Sequence, residues 1–439
     1  MPDITFVVPT YNCAKHLPKC LDSLIRQRLP GRIVVVDDAS TDDTLTVLGA
    51  YKDKVNMLGH RERKGANAAR NTGMNWMEQT FGIGMESFVC FCDADAVYYP
   101  DYSEKLYAGL ADNIGAFAYC YWHNEKPEGG VNDMRIPPWD TELLWWDQLT
   151  IPMPSMIRCL MLPHDGLDET SQYRDDWKLW LWMAERGSRG VCVPEFLFMH
   201  RFRHEGKTIT YSRNVPQVWR ERSHVRRKFA SLSRLPSPVV CLMYGAGDGS
   251  GNPQHCIEHL EEFSGLPLIV YHVVPDASDN NHAIQTTLPY RTIRESEVPH
   301  GLPKDVYLVL IRDDCFPAPE CIERMIWWLR MFPTLDAVGP LLLDDSHQSL
   351  LELSKNGHAT EHMKRAAERM PDFYGAAMAL HTGRQLIEMP VSPVCAAAHA
   401  KAADRISWNQ DRIWLEGEMA AAQDALCING VNAKLSSWL

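Results

Sequence analysis

The stretch FVCFCDADAVYYPDY, residues 88–102, decides how the rest of the chain is read. Phe88 to Cys92 is an uninterrupted apolar run, too short for a helix, which predicts a strand covered on both faces. The run stops at Asp93, and Asp95 follows two positions on. Two carboxylates at a strand tip repel each other unless a cation lies beside them. Hard divalent cations such as Mg2+ or Mn2+ take oxygen ligands and share them with phosphate, so the pair points to a metal–diphosphate site. Acids that merely solvate a strand end give the same letters.

Upstream, the pattern repeats. ITFVV (4–8) reads as a strand, and Leu17, Cys20, Leu21, Leu24 and Ile25 then fall on one helix face. RIVVV (32–36) is a second strand, ended by Asp37 and Asp38. Ser40 and Asp43 open a helix in capping-box fashion. GANAARNTGM (65–74) reads as a small-residue helix, and Leu106 and Leu110 mark another after the acidic pair. Apolar strands alternating with helices predict an α/β fold with a mainly parallel sheet and helices on both faces. Ligands then sit beyond the carboxyl ends of the strands. Here those ends carry Pro9-Thr10-Tyr11-Asn12, Asp37-Asp38 and Asp93-Ala94-Asp95.

The 439 residues suffice for two or three domains, and the net charge of −12 argues against a general nucleic-acid binder. No apolar run is long enough to span a membrane, and MPDITFVVPT has neither the basic nor the apolar part of a secretion signal, so a soluble cytoplasmic protein is expected. The 13 cysteines form no CxxC pair and read as buried reduced thiols.

In their order, VVPTYN, VVDDAST, KGANAARNTG and FCDADAVYYPDY resemble the family 2 glycosyltransferases, which have the GT-A fold. The resemblance covers roughly residues 4–205. It implies transfer of a sugar from a nucleotide-diphosphate donor to an acceptor, usually with inversion, assisted by Mn2+ or Mg2+. It places Pro9, Thr10, Tyr11, Asn12 and Asp38 around the nucleoside, commonly uridine, with Asp37 as an alternative structural partner at the strand end. Arg70 lies near the donor, where it suits a phosphate or a carboxylate; a salt bridge to Asp37 or Asp38 is the other reading. Asp93, Ala94 and Asp95 form the DXD motif, with Asp93 and Asp95 as metal contacts. In YRDDWKLWLWMAERG (173–187), Asp176 takes the position of the general base and Asp175 stands where a glutamate is usual. Trp182 replaces the usual arginine. A histidine near 198–213 would be a third metal ligand: His204 fits best and His200 is the runner-up. Met153, Met156, Trp145 and Trp146 are read either as a wall for the sugar or as core. From Arg201 to Lys228 there are nine Lys and Arg against two acids, which suits a solvated helix face or a groove for an anionic ligand.

The prolines and serines of SLSRLPSPVV (231–240) predict a boundary, dividing the chain into a catalytic domain (1–232) and a second α/β domain (233–439). RDDCFPAPECIERMIWWL overlays DADAVYYPDYSEKLYAGL, so the second half reads as an altered internal repeat, giving two tandem GT-A-like domains. Arg312 then stands at the first acid's position. Asp314 and Asp411 mark a candidate second site, serving either a degenerate domain or a bifunctional enzyme. The acceptor stays open among glycan, lipid-linked, small-molecule and nucleic-acid bases, as does a homo-oligomeric state. The rivals are a nucleotidyltransferase, disfavoured because VVPTYNCAKHLP is not a basic Gly-rich loop, and a non-catalytic nucleotide-sugar-binding protein.

Overall fold

The computed structural model describes residues 2–111, 115–126, 129–147, 149–170, 174–201, 215–234, 239–245, 251–276, 284–298, 303, 306–317, 320–331, 337–343, 386–388, 395–399, 406–409, 412–415 and 419–429. The chain forms two compact units, one of residues 1–210 with 231–233 and one of 211–230 with 234–439.

The first unit has strands β1 (Asp3–Thr10), β2 (Arg32–Asp37), β3 (Asn56–Gly59), β4 (Ser87–Phe91), β5 (Ala96–Tyr98), β6 (Phe117–Glu125), β7 (Val131–Met134), β8 (Met156–Arg158) and β9 (Gly190–His200). They form one sheet in the order β3-β2-β1-β4-β8-β6-β9-β5, with β7 on β6. The first four strands run parallel. β8 is antiparallel to β4 and β6, β6 and β9 are parallel, and β5 returns antiparallel on β9. All five residues of β4 are buried, as its unbroken apolar run predicts. β3 left no sequence signal because NMLG is an edge strand whose residues are mostly exposed.

Its helices are α1 (Leu17–Ile25), α2 (Thr44–Gly49), α3 (Ala66–Phe81), α4 (Tyr102–Ala111), α5 (Thr141–Trp145) and α6 (Asp175–Glu185). The small residues of α3 let it lie close on the sheet. Ala69 is packed with Val34 and Val36, and a methyl group added at Gly73 would come within 2.6 Å of Val7 Cγ1. Ser40 does not cap α2 as its spacing suggests. Asp43 is the N-cap residue without a side-chain bond, and the Ser40 hydroxyl instead accepts the Asn12 N–H at 2.9 Å.

The second unit contributes α7 (Val215–Lys228), β10 (Val239–Tyr244), α8 (Pro253–Phe263), β11 (Leu268–Val274), β12 (Tyr290–Arg294), β13 (Tyr307–Arg312), β14 (Cys315–Pro317), α9 (Cys321–Met331), β15 (Ala337–Leu343), β16 (Leu386–Glu388), β17 (Cys395–His399), β18 (Ile406–Asn409), β19 (Arg412–Leu415) and β20 (Met419–Asn429). Its sheet runs β12-β11-β10-β13-β17-β15-β20-β14. Helix α7, expected in the first domain, belongs to this unit, and the reason is charge. Arg222 and Arg226 both reach the buried Glu320, at 2.7 and 2.6 Å, and Arg324 joins them at 2.8 Å. Arg220 pairs with Glu262, and Arg227 donates to the Glu261 carbonyl. These arginines of the basic stretch are structural struts rather than the lining of an open groove.

Among the described residues no helix is long and apolar enough to cross a membrane. The described cysteines are free thiols, all buried except the half-buried Cys192.

Candidate functional site

The ends of β1 and β2 are stitched together by their loops. Asn12, in the left-handed region at φ 47°, accepts the Thr41 N–H on its side-chain oxygen at 2.8 Å. The Cys13 N–H donates to Thr44 Oγ1 at 2.9 Å. Asp38 is buried and its carboxylate already takes three donors: His60 Nδ1 at 2.7 Å, the Lys64 N–H at 2.8 Å and the Gly65 N–H at 2.7 Å. It therefore fixes the loop leading into α3. Asp37 accepts the Ser40 N–H through one oxygen at 3.0 Å, while its other oxygen and the Thr10 hydroxyl are buried without a hydrogen-bond partner. Buried acceptors without a partner call for a water, an ion or a polar ligand. The Arg63 guanidinium lies 4.2 Å from the centre of the Tyr11 ring.

Helix α3 brings Arg70 beneath the rim. Neither Asp37 nor Asp38 is its partner. It pairs instead with Asp93 Oδ1 at 3.6 Å and Asp175 Oδ2 at 3.1 Å, and donates to Asn67 Oδ1 at 2.8 Å. One buried guanidinium thus joins the acid after β4 to the acid opening α6, 105 positions apart from Arg70 itself. The same helix holds the segment preceding α6. Asn71 exchanges hydrogen bonds with Leu167, donating to its carbonyl at 2.9 Å and accepting its N–H at 2.8 Å, and Asn67 donates to the Asp168 carbonyl at 2.7 Å. Gly166 has φ +79°, and any side chain there would strike the Asn71 amide, so glycine is required.

Burial pushes the Asp93 carboxyl above its ordinary range; Arg70 opposes this and Asp95 adds to it. Asp176 is likewise raised by burial, opposed by Arg174 and reinforced by Asp175. Its Oδ1 accepts the Trp177 N–H at 2.8 Å. Arg174, which precedes both acids, sits at φ 50° and is ion-paired to the buried Asp147. A non-glycine residue in that region costs energy and is held only by its surroundings.

β5 pairs with β9 so that Ala96 faces His200, which sets His200 Nε2 3.5 Å from Asp95 Oδ1. Of the two histidines, the runner-up His200 lies beside Asp95; His204 lies outside the described residues, as does Asp411. Among the described residues no three His, Cys, Asp or Glu side chains group as a metal cage. Carboxylate and imidazole donors on one side nevertheless fit Mn2+ or Mg2+, which normally complete their shells with water and phosphate oxygens.

Trp145, Trp146, Met153 and Met156 are buried core residues, not an exposed sugar wall. At the Trp182 position, the guanidinium of Arg186 stacks 3.8 Å over the indole. Both line a surface pocket of about 400 Å3 with Leu160, Met161, His164 and Asp165. The sequence reading missed Asp147, His60 and Arg174; nothing local marks them, because their partners are brought in by folding.

The curled, mostly parallel sheet with helices packed on it is the GT-A fold. Residues 5–156 match the model of Glycosyl transferase family 2. The chain is 37% identical over 131 residues to Glycosyltransferase GlyA of Streptococcus pneumoniae, spanning 29% of this chain and 18% of that protein. It is 31% identical over 151 residues to the poly(ribitol-phosphate) beta-glucosyltransferase of Bacillus spizizenii, spanning 30% and 20%. Among solved structures, S. aureus TarS 1–349 in complex with UDP-GlcNAc aligns over 52% of this chain and 66% of that one, at 20% identity and a TM-score of 0.43. The matched regions amount to 18%, 41% and 58% of the length of three of the curated relatives.

Proposed function

We propose that the chain transfers a sugar from a nucleoside-diphosphate donor, in the first instance a UDP-sugar, to an acceptor hydroxyl with inversion at the anomeric carbon. The observation that carries this reading is the double ion pair of Arg70, which gathers Asp93 and Asp175 at one rim. Asp176, beside Asp175, takes the acceptor's proton as its oxygen attacks C1 from the face opposite the leaving diphosphate. Its raised pKa makes it a better base than an exposed aspartate. Arg70 holds the two acid pairs in register, and Asp37 with Thr10 offers acceptors to the nucleoside. Asp95 and His200 would hold Mn2+ or Mg2+, which when bound neutralises charge on the departing diphosphate.

Two relatives are named as poly(ribitol-phosphate) transferases, so the hydroxyl of a polyol-phosphate chain is the first acceptor class to test. A nucleic-acid base is disfavoured, because Arg220, Arg222, Arg226 and Arg227 are engaged with Glu262, Glu320 and the Glu261 carbonyl. The test is release of UDP from UDP-sugars with Mn2+ and with EDTA, in wild type and Asp176→Asn. Turnover is expected only in wild type with metal. Turnover that persists in EDTA or in the variant overturns the assignment. A thermal-shift screen identifies the donor, since a ligand at 100 times its Kd stabilises by about 2.7 kcal/mol.

A further inference from the structure

Eight strands of the second unit repeat eight of the first in order and direction. β12-β11-β10-β13 are parallel, as are β3-β2-β1-β4. β17 is antiparallel to β13 and β15, β15 and β20 are parallel, and β14 is antiparallel to β20, matching β8, β6, β9 and β5 in place and direction. The return strands fix the residue equivalence: β5 opens at Ala96, paired with His200 at the end of β9, and β14 opens at Cys315, paired with Asn429 at the end of β20. The Cys20 thiol on α1 donates to the Asp93 carbonyl at 3.5 Å, and the Cys256 thiol on α8 reaches the Cys315 carbonyl at 3.3 Å and the Arg312 carbonyl at 3.9 Å. Arg312 therefore stands where Asp93 stands, and Asp314 where Asp95 stands.

The chemistry at that point is inverted. Arg312 clasps Asp314 through two bonds, Nε to Oδ1 at 2.5 Å and Nη2 to Oδ2 at 2.7 Å. Both carboxylate oxygens are thus taken by a fixed cation, and Asp314 is only 6% exposed. A divalent ion at this carboxylate would have to displace the guanidinium and then sit beside it, like charge against like charge. In the first unit the arginine reaches in from α3 and pairs with the first acid, so Asp95 instead faces His200. The segment that leads from β17 to β20 also departs from its counterpart. Where the first unit places α6 with its paired acids, the second has the β18–β19 hairpin, Asn409 opposite Arg412.

We propose that the place in the second unit equivalent to Asp93–Asp95 takes no divalent ion, because the Arg312 guanidinium occupies the cation's place against Asp314. Only the expected ion count draws on the function proposed for the first unit, and the experiment separates the two. Mn2+ binding to the full chain is counted by electron paramagnetic resonance titration in wild type, Asp95→Ala and Asp95→Ala/Arg312→Ala. One ion in wild type and none in Asp95→Ala supports the proposal. No ion in wild type removes the metal from the first unit but upholds the closure of the second. Two ions in wild type, or one that survives Asp95→Ala and disappears on adding Asp314→Ala, overturns it. In the double variant, where Asp314 loses its guanidinium, Mn2+ is expected to raise the Tm, as it does not in Asp95→Ala. A Tm that Mn2+ leaves unmoved there refutes the role given to Arg312.

Discussion

Replacing Arg70 by alanine removes a cation shared by Asp93 and Asp175. At 3.1 and 3.6 Å the two attractions are each about 5 kcal/mol at an effective dielectric constant near 20. Most of this is offset by the cost of taking the charges out of water, and removing one member of a buried pair costs about 3–5 kcal/mol net. The Asp93 side chain is 28% exposed, so water recovers part of the loss and the lower end, about 3 kcal/mol, applies. For a unit of this size that is a fall in Tm of about 6–12 °C. The fall should depend on pH. Asp93 has a folded pKa above its unfolded value, and losing Arg70 raises it further. A carboxyl shifted upward favours the folded state while protonated and loses that contribution as pH rises through its folded pKa. The deficit of Arg70→Ala should therefore be small near pH 4 and full at pH 7, measured by differential scanning calorimetry in both buffers. A Tm within about 2 °C of wild type at pH 7 would refute the bridge. An equal loss at both pH values would show that Arg70 acts by packing and not by charge.

Asp176→Asn should abolish transfer by about 10²–10⁴-fold. It should not lower stability at pH 7, because burial raises the folded pKa of Asp176 and its ionised form weakens the fold there; calorimetry should find its Tm equal to or above wild type, with the difference closing toward pH 4. In wild type, kcat/KM should fall on the acid side at a pH above the ordinary carboxylate value of about 3.9. Gly73→Ala puts a methyl against Val7 between α3 and β1, and urea denaturation should show a loss of about 1–3 kcal/mol. Glu320→Ala leaves Arg222, Arg226 and Arg324 facing one another; chemical denaturation should report a loss of about 3–5 kcal/mol in the second unit.

The unbroken apolar runs of β1, β2 and β4 were legible because strand pattern and burial are local properties of a short segment. The acids and polar loops at their ends followed from the same reading. The repeat was visible too, since Pro100 and Pro319 stand five positions after Asp95 and Asp314. β3, without an apolar run, was not legible, and neither was the unit to which α7 belongs, because its arginines meet Glu320, Glu262 and the Glu261 carbonyl only after folding.

The sequence by itself determined which side chains stand at the strand ends, because side-chain alternation and turn chemistry act over a few residues. Tertiary structure alone decided which charge meets which. Arg70 goes to Asp93 and Asp175 rather than to Asp37 or Asp38, Asp38 goes to His60 and the loop that follows, and β5 pairing on β9 delivers His200 to Asp95. Arg312 closes on Asp314 two positions away, yet only the fold sets that pair in the place Asp93 and Asp95 hold in the first unit. Charge pairing across a hundred residues depends on where whole elements pack, and no short window of sequence carries that.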